Sequence, residues 1–268
     1  DWRELVAYRD LLWLLVWRDF ATRYKQTILG PLWHIFQPLL TAVIFSVVFS
    51  IVAELPTDGL PPTLFYLCGL LAWNYFAQTF NSTSSTLVAN AGLFGKVYFP
   101  RLIVPLSALV SNVVSFLIQL VTFFAILVIY RLTHIGTTFG PRLEAIIFLP
   151  FVLLHLAIFS LGVGLWLSAL TAKFRDFAVL SGFVLQLWLY VTPVILPLAK
   201  VPAEYHFYVG LNPVTMPVEC MRHLLLGNGW VNPSLLGVSV AVTVCTPTVF
   251  MVMPLVKVCT PLFPLRKV

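Results

Sequence analysis

The residues with chemical potential are few, and each falls short of a recognised arrangement. Glu219 and His223 stand four apart on a stretch able to form a helix, with Cys220 and Arg222 between them. A metal centre needs a third ligand, so this spacing points to a helix-surface ion pair or a structural polar patch. Gly92-Leu93-Phe94-Gly95-Lys96-Val97 resembles the end of a phosphate loop. That motif needs Gly where Asn90 stands and a magnesium-holding Ser or Thr where Val97 stands, so nucleotide hydrolysis by this chain is not expected. His155 is the single ionisable side chain deep in an apolar run; without a carboxylate partner it reads as a histidine hydrogen-bonded inside the bundle rather than a proton relay. Cys68, Cys220, Cys245 and Cys259 lie in separate segments and form neither a disulfide framework nor a metal pattern. No Ser-His-Asp set or paired carboxylates are visible, and no cofactor is expected in this chain.

The elements that hold these residues are set by composition. Of 268 residues, 60% are hydrophobic and 10% charged, with a mean hydropathy of +0.95. Soluble domains carry about 25% charged residues, so a water-soluble fold is excluded. Spanning hydrocarbon takes about 20 apolar residues in a helix, because each backbone N–H and C=O must be satisfied within its segment. Six runs meet this test: Leu32–Ala53, Leu64–Phe80, Leu102–Tyr130, Ala145–Leu170, Phe177–Pro197 and Ser234–Val256. None alternates as a barrel strand must. The expected fold is an all-α integral membrane protein of six transmembrane helices in a single domain over 1–268, with the bundle at 32–256. The second run is the shortest and carries Asn74 and Gln78.

Most of the 16 Lys and Arg residues fall on segments that share one side if the N-terminus is cytoplasmic. These are Arg3, Arg9, Arg18, Arg23 and Lys25, then Lys96 and Arg101, Lys173 and Arg175, and Lys257, Arg266 and Lys267. Arg131, Arg142, Lys200 and Arg222 fall on the other side. The bias predicts N-in and C-in. The +6 net charge is thus a topology signal; the basic residues are scattered, and no nucleic-acid partner is expected.

Residues 1–28 mix charges with Trp2, Leu5, Leu12, Leu15 and Phe20, which predicts an amphipathic helix along the inner membrane surface; a soluble lead-in is the alternative. Leu11–Trp17 is too short for a signal and runs into Arg18 and Asp19. Asn81-Ser82-Thr83-Ser84-Ser85-Thr86 offers N-caps for a short cytoplasmic helix. Segment 198–233 contains apolar pieces too short to span, broken by Pro202, Pro213, Pro217 and Gly227, and reads as re-entrant helices. Ser160, Gly164 and Ser168 recur every four residues and allow a neighbouring helix, by default one of the same chain, to approach closely. Aromatics make 15% of the chain. Phe36, Trp73, Tyr75, Phe76, Trp188 and Tyr190 are candidates either for anchors and core or for the lining of a conduit in which rings stack on sugar faces.

Five patches in order carry a family resemblance. They are Arg23-Tyr24-Lys25-Gln26-Thr27-Ile28-Leu29-Gly30-Pro31-Leu32-Trp33 with Gln37-Pro38-Leu39-Leu40, then Lys96-Val97-Tyr98-Phe99-Pro100-Arg101, Phe174-Arg175-Asp176-Phe177, Thr192-Pro193-Val194 and Asn212-Pro213. Over about residues 8–240 the chain resembles bacterial ABC-2-type permeases that export polysaccharides. The resemblance implies the membrane subunit of an exporter for lipid-linked O-antigen, teichoic acid or a similar glycan in the bacterial inner membrane. It implies a second copy of the chain, and two copies of a separate ABC ATPase that binds ATP and Mg. It further implies a coupling helix at 82–96, with Ser85, Leu87, Gly92, Phe94 and Lys96 facing the motor. An outer gate at 198–233 would include Tyr205, Phe207, Met216, Met221 and Leu225. A drug or small-lipid exporter of the same superfamily, an ion-coupled carrier or channel and an intramembrane enzyme are the alternatives. Pro247, Pro254 and the tail Lys257–Val268 depart from the charged amphipathic ending of that family.

Overall fold

The computed structural model describes residues 8–25, 28, 30–94, 99–100, 102–134 and 139–246. Every regular element among them is helical. The chain begins with α1 (Arg9–Tyr24), and a short 3-10 turn at Gly30–Leu32 leads into α2 (Trp33–Phe45), which continues as a π-helical stretch over Ser46–Val52. Next come α3 (Pro62–Ser84), two single turns α4 (Thr86–Ala89) and α5 (Ala91–Phe94), then α6 (Ile103–Thr133), α7 (Ala145–Lys173) and α8 (Asp176–Val191). Two 3-10 turns, α9 (His206–Gly210) and α10 (Thr215–Leu226) precede α11 (Pro233–Thr246). Among the described residues, three helices are long and apolar enough to cross a membrane: Trp33–Val52, Ile103–Thr133 and Ala145–Lys173.

The organising helix is α3, the run that looked weakest in the sequence. Leu64, Phe65, Tyr66, Leu67, Leu70, Leu71 and Phe76 are all buried, and α3 packs against α2, α6, α7, α8 and α10. Several of its polar residues have partners inside the protein: Asn74 Nδ2 donates to Gln119 Oε1 (3.3 Å), and Asn112 Nδ2 donates to Thr79 Oγ1 (3.2 Å) and Ser82 Oγ (3.1 Å). A central helix walled by other helices tolerates such residues because each finds a donor or acceptor inside protein.

The small-residue stripe on α7 receives α3 of the same chain. Thr83 Oγ1 donates to the Ser160 carbonyl at 3.3 Å, and a Cβ added at Gly164 would collide with the Thr83 hydroxyl. Ser168 Oγ accepts the Leu87 N–H at 3.1 Å, so the stripe also seats α4.

Two boundaries differ from the sequence reading. The Ser/Thr run does not cap a new helix; it prolongs α3 to Ser84. Ser82, Thr83, Ser85 and Thr86 donate to carbonyls four residues back at 2.8, 2.7, 3.0 and 2.7 Å, which satisfies the hydroxyls without breaking the helix. The expected single helix at 82–96 is therefore the end of α3 followed by two one-turn pieces. The fifth run stops as a helix at Val191 instead of reaching Pro197, because Pro193 has no N–H to continue the ladder. Its 16 residues rise about 24 Å, short of a hydrocarbon core of about 30 Å.

α1 lies along the start of α6. Leu15 joins Phe99, Ile103 and Val104 in a small core, and Asp19 Oδ2 accepts from Ser107 Oγ at 3.3 Å. Its other side exposes Trp13, Leu14 and Trp17, an apolar sector suited to an interfacial helix. Residues 1–7 of the segment, and the last span and tail beyond Thr246, lie outside the described residues.

Candidate functional site

The densest polar chemistry sits where α10 turns back against α3. Arg222 and Glu219 are each 1% exposed. Arg222 Nη1 donates to Glu219 Oε1 at 2.8 Å and Nη2 to the Val194 carbonyl at 2.8 Å. The guanidinium lies over the Phe65 ring, its Cζ 3.9 Å from the centroid. Glu219 Oε1 also accepts the Leu198 N–H (3.3 Å) and Oε2 the Trp230 N–H (3.2 Å). One ion pair thus ties α10 to the break after α8, to α3, and to the segment before α11. Gly69 leaves room for it, since a Cβ there would stand 3.0 Å from Arg222 Nη2.

The break after α8 is closed by a second set of contacts. Asn212 Nδ2 donates to Thr192 Oγ1 at 3.0 Å, while its Oδ1 accepts Trp188 Nε1–H and the Val214 N–H, each at 3.1 Å. Buried irregular backbone is tolerated where protein groups satisfy its N–H and C=O, and Asn212, Arg222 and Glu219 perform that task here.

Sequence reasoning placed Arg222 among the loop cations and matched Glu219 with His223. The structure corrects both. Arg222 is buried rather than solvated. Its i,i+3 spacing brings it onto the carboxylate, whereas His223 points elsewhere: its Nδ1 stands 3.2 Å from the Gly229 carbonyl and its Nε2 2.9 Å from Arg142 Nη1. The available signal was the i,i+3 spacing of Glu219 and Arg222. His155 Nε2 stands 2.9 Å from Thr243 Oγ1, 3.2 Å from the Pro213 carbonyl and 3.3 Å from Ser239 Oγ, a node that joins α7, α11 and the turn before α10.

The six conduit candidates divide. Trp73, Tyr75 and Phe76 are buried in the protomer core, with Phe76 stacked on Phe159 at 5.7 Å and edge-on to Trp188 at 5.3 Å. Trp188 is half-buried in that cluster, whereas Phe36 on α2 and Tyr190 on α8 are exposed. A path lined by the first three requires the core to open; Phe36 and Tyr190 already face outward. The gate candidates divide too: Met216, Met221 and Leu225 are buried on α10, while Tyr205 and Phe207 are exposed. Of the coupling candidates, Ser85 is exposed, Leu87 is half-buried against Ser168, and Gly92 borders open space. The side chain of Phe94, and Lys96, lie outside the described residues.

Apolar faces of α2 and α8 remain uncovered by the protomer, Val43, Ile44, Ile51, Val179, Phe183 and Leu187 among them. Long apolar helices, outward-facing Leu, Val and Phe and a polar core hub define a helical multi-pass membrane protein. The model of the family described as ABC-2 type transporter matches residues 10–226, and the chain belongs to that family. It is 29% identical over 223 residues to an O-antigen export system permease protein of Klebsiella pneumoniae, covering 83% of this chain and 82% of the relative. It is 30% identical over 216 residues to the O-antigen export system permease protein of Myxococcus xanthus, covering 79% and 78%. The polysialic acid transport protein of Escherichia coli is 25% identical over 211 residues, covering 78% of each chain.

Proposed function

We propose that this chain is the permease subunit of an ATP-driven exporter that moves lipid-linked polysaccharide across the bacterial inner membrane. The observation that carries the reading is the family match, with relatives named for O-antigen and polysialic acid transport aligned over more than three quarters of both chains. Hydrolysis belongs to a separate ABC ATPase holding ATP and Mg. Two permeases pair with two such motors, and the apolar faces left open on α2 and α8 are available for lipid or a second copy.

The topology in this reading has six spans, N-in and C-in. In support, α1, α4 and the C-terminal end of α7 gather at one end: Arg18 reaches Asn90 at 3.5 Å, and Leu87 binds Ser168. Arg9, Arg18, Lys25, Lys173 and Arg175 belong to that end, as a cytoplasmic face requires. The motor pushes on the exposed surface around Ser85 and Gly92. Because Thr83 and Leu87 are bonded to α7, the push tilts α3 and α7 together. The movement reaches α10 through Phe65, Gly69 and the Arg222–Glu219 pair, and α10 with α9 acts as the outer gate.

Deletion of the gene in its host tests the reading. Surface polysaccharide should vanish while polymer accumulates inside, and the intact chain supplied in trans should restore export. Unchanged surface polymer, with resistance to apolar drugs lost instead, would overturn it in favour of a drug exporter.

A further inference from the structure

Two cavities lie at the end of the protomer opposite α1, on either side of the Arg142–His223 contact, and they differ in character. One, of about 440 Å³, is walled by Gly59, Arg131, Gly140, Arg142, Gly227 and Asn228 together with Leu60 and Leu226. Gly59 (φ +75°) and Gly227 (φ +79°) adopt the left-handed region and leave their walls bare of side chains. Arg131 lies flat against the backbone at Gly140, where a Cβ would stand 3.0 to 3.2 Å from its guanidinium, and among the described residues it donates to no acceptor. Arg142 donates to the Gly227 carbonyl at 3.2 Å and to His223 Nε2 at 2.9 Å. A guanidinium has only donors, so Nε2 must be the accepting nitrogen, with the His223 proton on Nδ1 and shared with the Gly229 carbonyl. Neither partner of Arg142 is a carboxylate. The residues that line the cavity include two guanidiniums and no carboxylate, and the neighbouring Asp58 accepts from Asn228 Nδ2 through its carbonyl at 3.2 Å.

The second cavity, of about 330 Å³, is an apolar crevice between α7, α10 and α11 lined by Phe148, Phe151, Met216, Leu224, Leu236 and Val240. His223 belongs to its wall, so the Arg142–His223 contact is the shared partition between the two spaces. Glu144 also lines the crevice, which disfavours an anion there.

We propose that the adjoining cavities form one binding site for a lipid phosphate, with the anionic head group between Arg131 and Arg142 and the hydrocarbon chain in the crevice between α7, α10 and α11. Paired guanidiniums present planar donor forks to phosphate oxygens. A soluble anion would use the first cavity and leave the second empty; an amphiphile uses both. The choice of a prenyl phosphate as the first probe rests on the export reading, but the site itself is defined by phosphate and chain.

The test uses the full chain co-purified with its ATPase in phosphatidylcholine nanodiscs, with binding followed by native mass spectrometry. The probes are a long-chain prenyl phosphate, the matching uncharged prenol, phosphatidylglycerol and inorganic phosphate. The prenyl phosphate should bind at least about tenfold more tightly than the prenol or inorganic phosphate, as a charge-assisted contact combined with chain burial requires. R131A and R142A should each lower that affinity about tenfold, and R131K should retain most of it. Since R142A also removes contacts to His223 and Gly227, R131A is the cleaner variant, and both are checked by elution profile and circular dichroism. Preference for the prenyl phosphate over phosphatidylglycerol assigns the head group to a glycan carrier, and equal binding assigns it to the bilayer; either supports the site. Prenol binding as tightly as its phosphate, or unchanged affinity in folded R131A, overturns it. Because binding is read without transport, that failure leaves the export reading standing, and loss of export specificity leaves the site intact.

Discussion

Replacing Arg222 by Ala strands the Glu219 carboxylate in the protein interior with two backbone N–H donors, those of Leu198 and Trp230, and no countercharge. It also orphans the Val194 carbonyl and empties the space over Phe65. Removing one partner of a buried pair costs about 3–5 kcal/mol. For a chain of this size about 1 kcal/mol moves the midpoint by about 2–4 °C, so R222A should lower the melting temperature by about 6–20 °C. R222K keeps the charge but loses the second hydrogen-bonded arm and the flat stack on Phe65, and should fall between. The double variant E219L/R222M removes both charges, and such swaps are often neutral in isolation. Here it still leaves three backbone groups unpaired, each costing about 1–3 kcal/mol, so recovery should be partial. Thermal unfolding of the detergent-solubilised protein, followed by intrinsic Trp fluorescence, reads all three. A shift below about 2 °C for R222A would refute the claim that the pair anchors α10.

Gly69→Ala places a Cβ against Arg222 Nη2 and should destabilise by about 1–3 kcal/mol, whereas Gly182→Ala, with nothing within 4 Å, should be tolerated; the same melts compare them. Asn112→Leu removes the donors to Thr79 and Ser82 and should cost about 0.6–2 kcal/mol, the usual range for hydrogen bonds between membrane helices. Gly92→Asp meets open space in the protomer, so insertion and melting temperature should stay unchanged while export and stimulated ATP hydrolysis are lost. Normal export by Gly92→Asp would remove α5 from the coupling surface.

Much of the architecture was legible because lipid imposes one rule, a helix of about 20 apolar residues. That rule exposed α2, α6 and α7 plainly. It undervalued α3, whose Asn74 and Gln78 look unfit for lipid, although α3 packs against five other helices and Asn74 donates to Gln119 inside the protein. The Ser/Thr run after Asn81 misled because the same hydroxyls cap helices or bond back along them, and only packing on Ser160 and Ser168 decides which. The Arg222–Glu219 pair was hidden for a related reason. In a Pro-punctuated segment a cation reads as solvated loop, and nothing local reveals that Phe65 and Gly69, about 150 positions earlier, form its seat. Aromatic density singled out Phe76 and Trp188 among several rings but could not show that these two pack together, nor separate core from conduit, since both use the same rings.

The most direct measurement is transport by the purified permease and its co-purified ATPase in sealed proteoliposomes carrying a lipid-linked polysaccharide. The account predicts ATP-dependent appearance of the glycan on the opposite face, with hydrolysis stimulated by the glycolipid and little changed by apolar drugs. Glycan that stays on its original face while a drug or ion crosses in its place would contradict it.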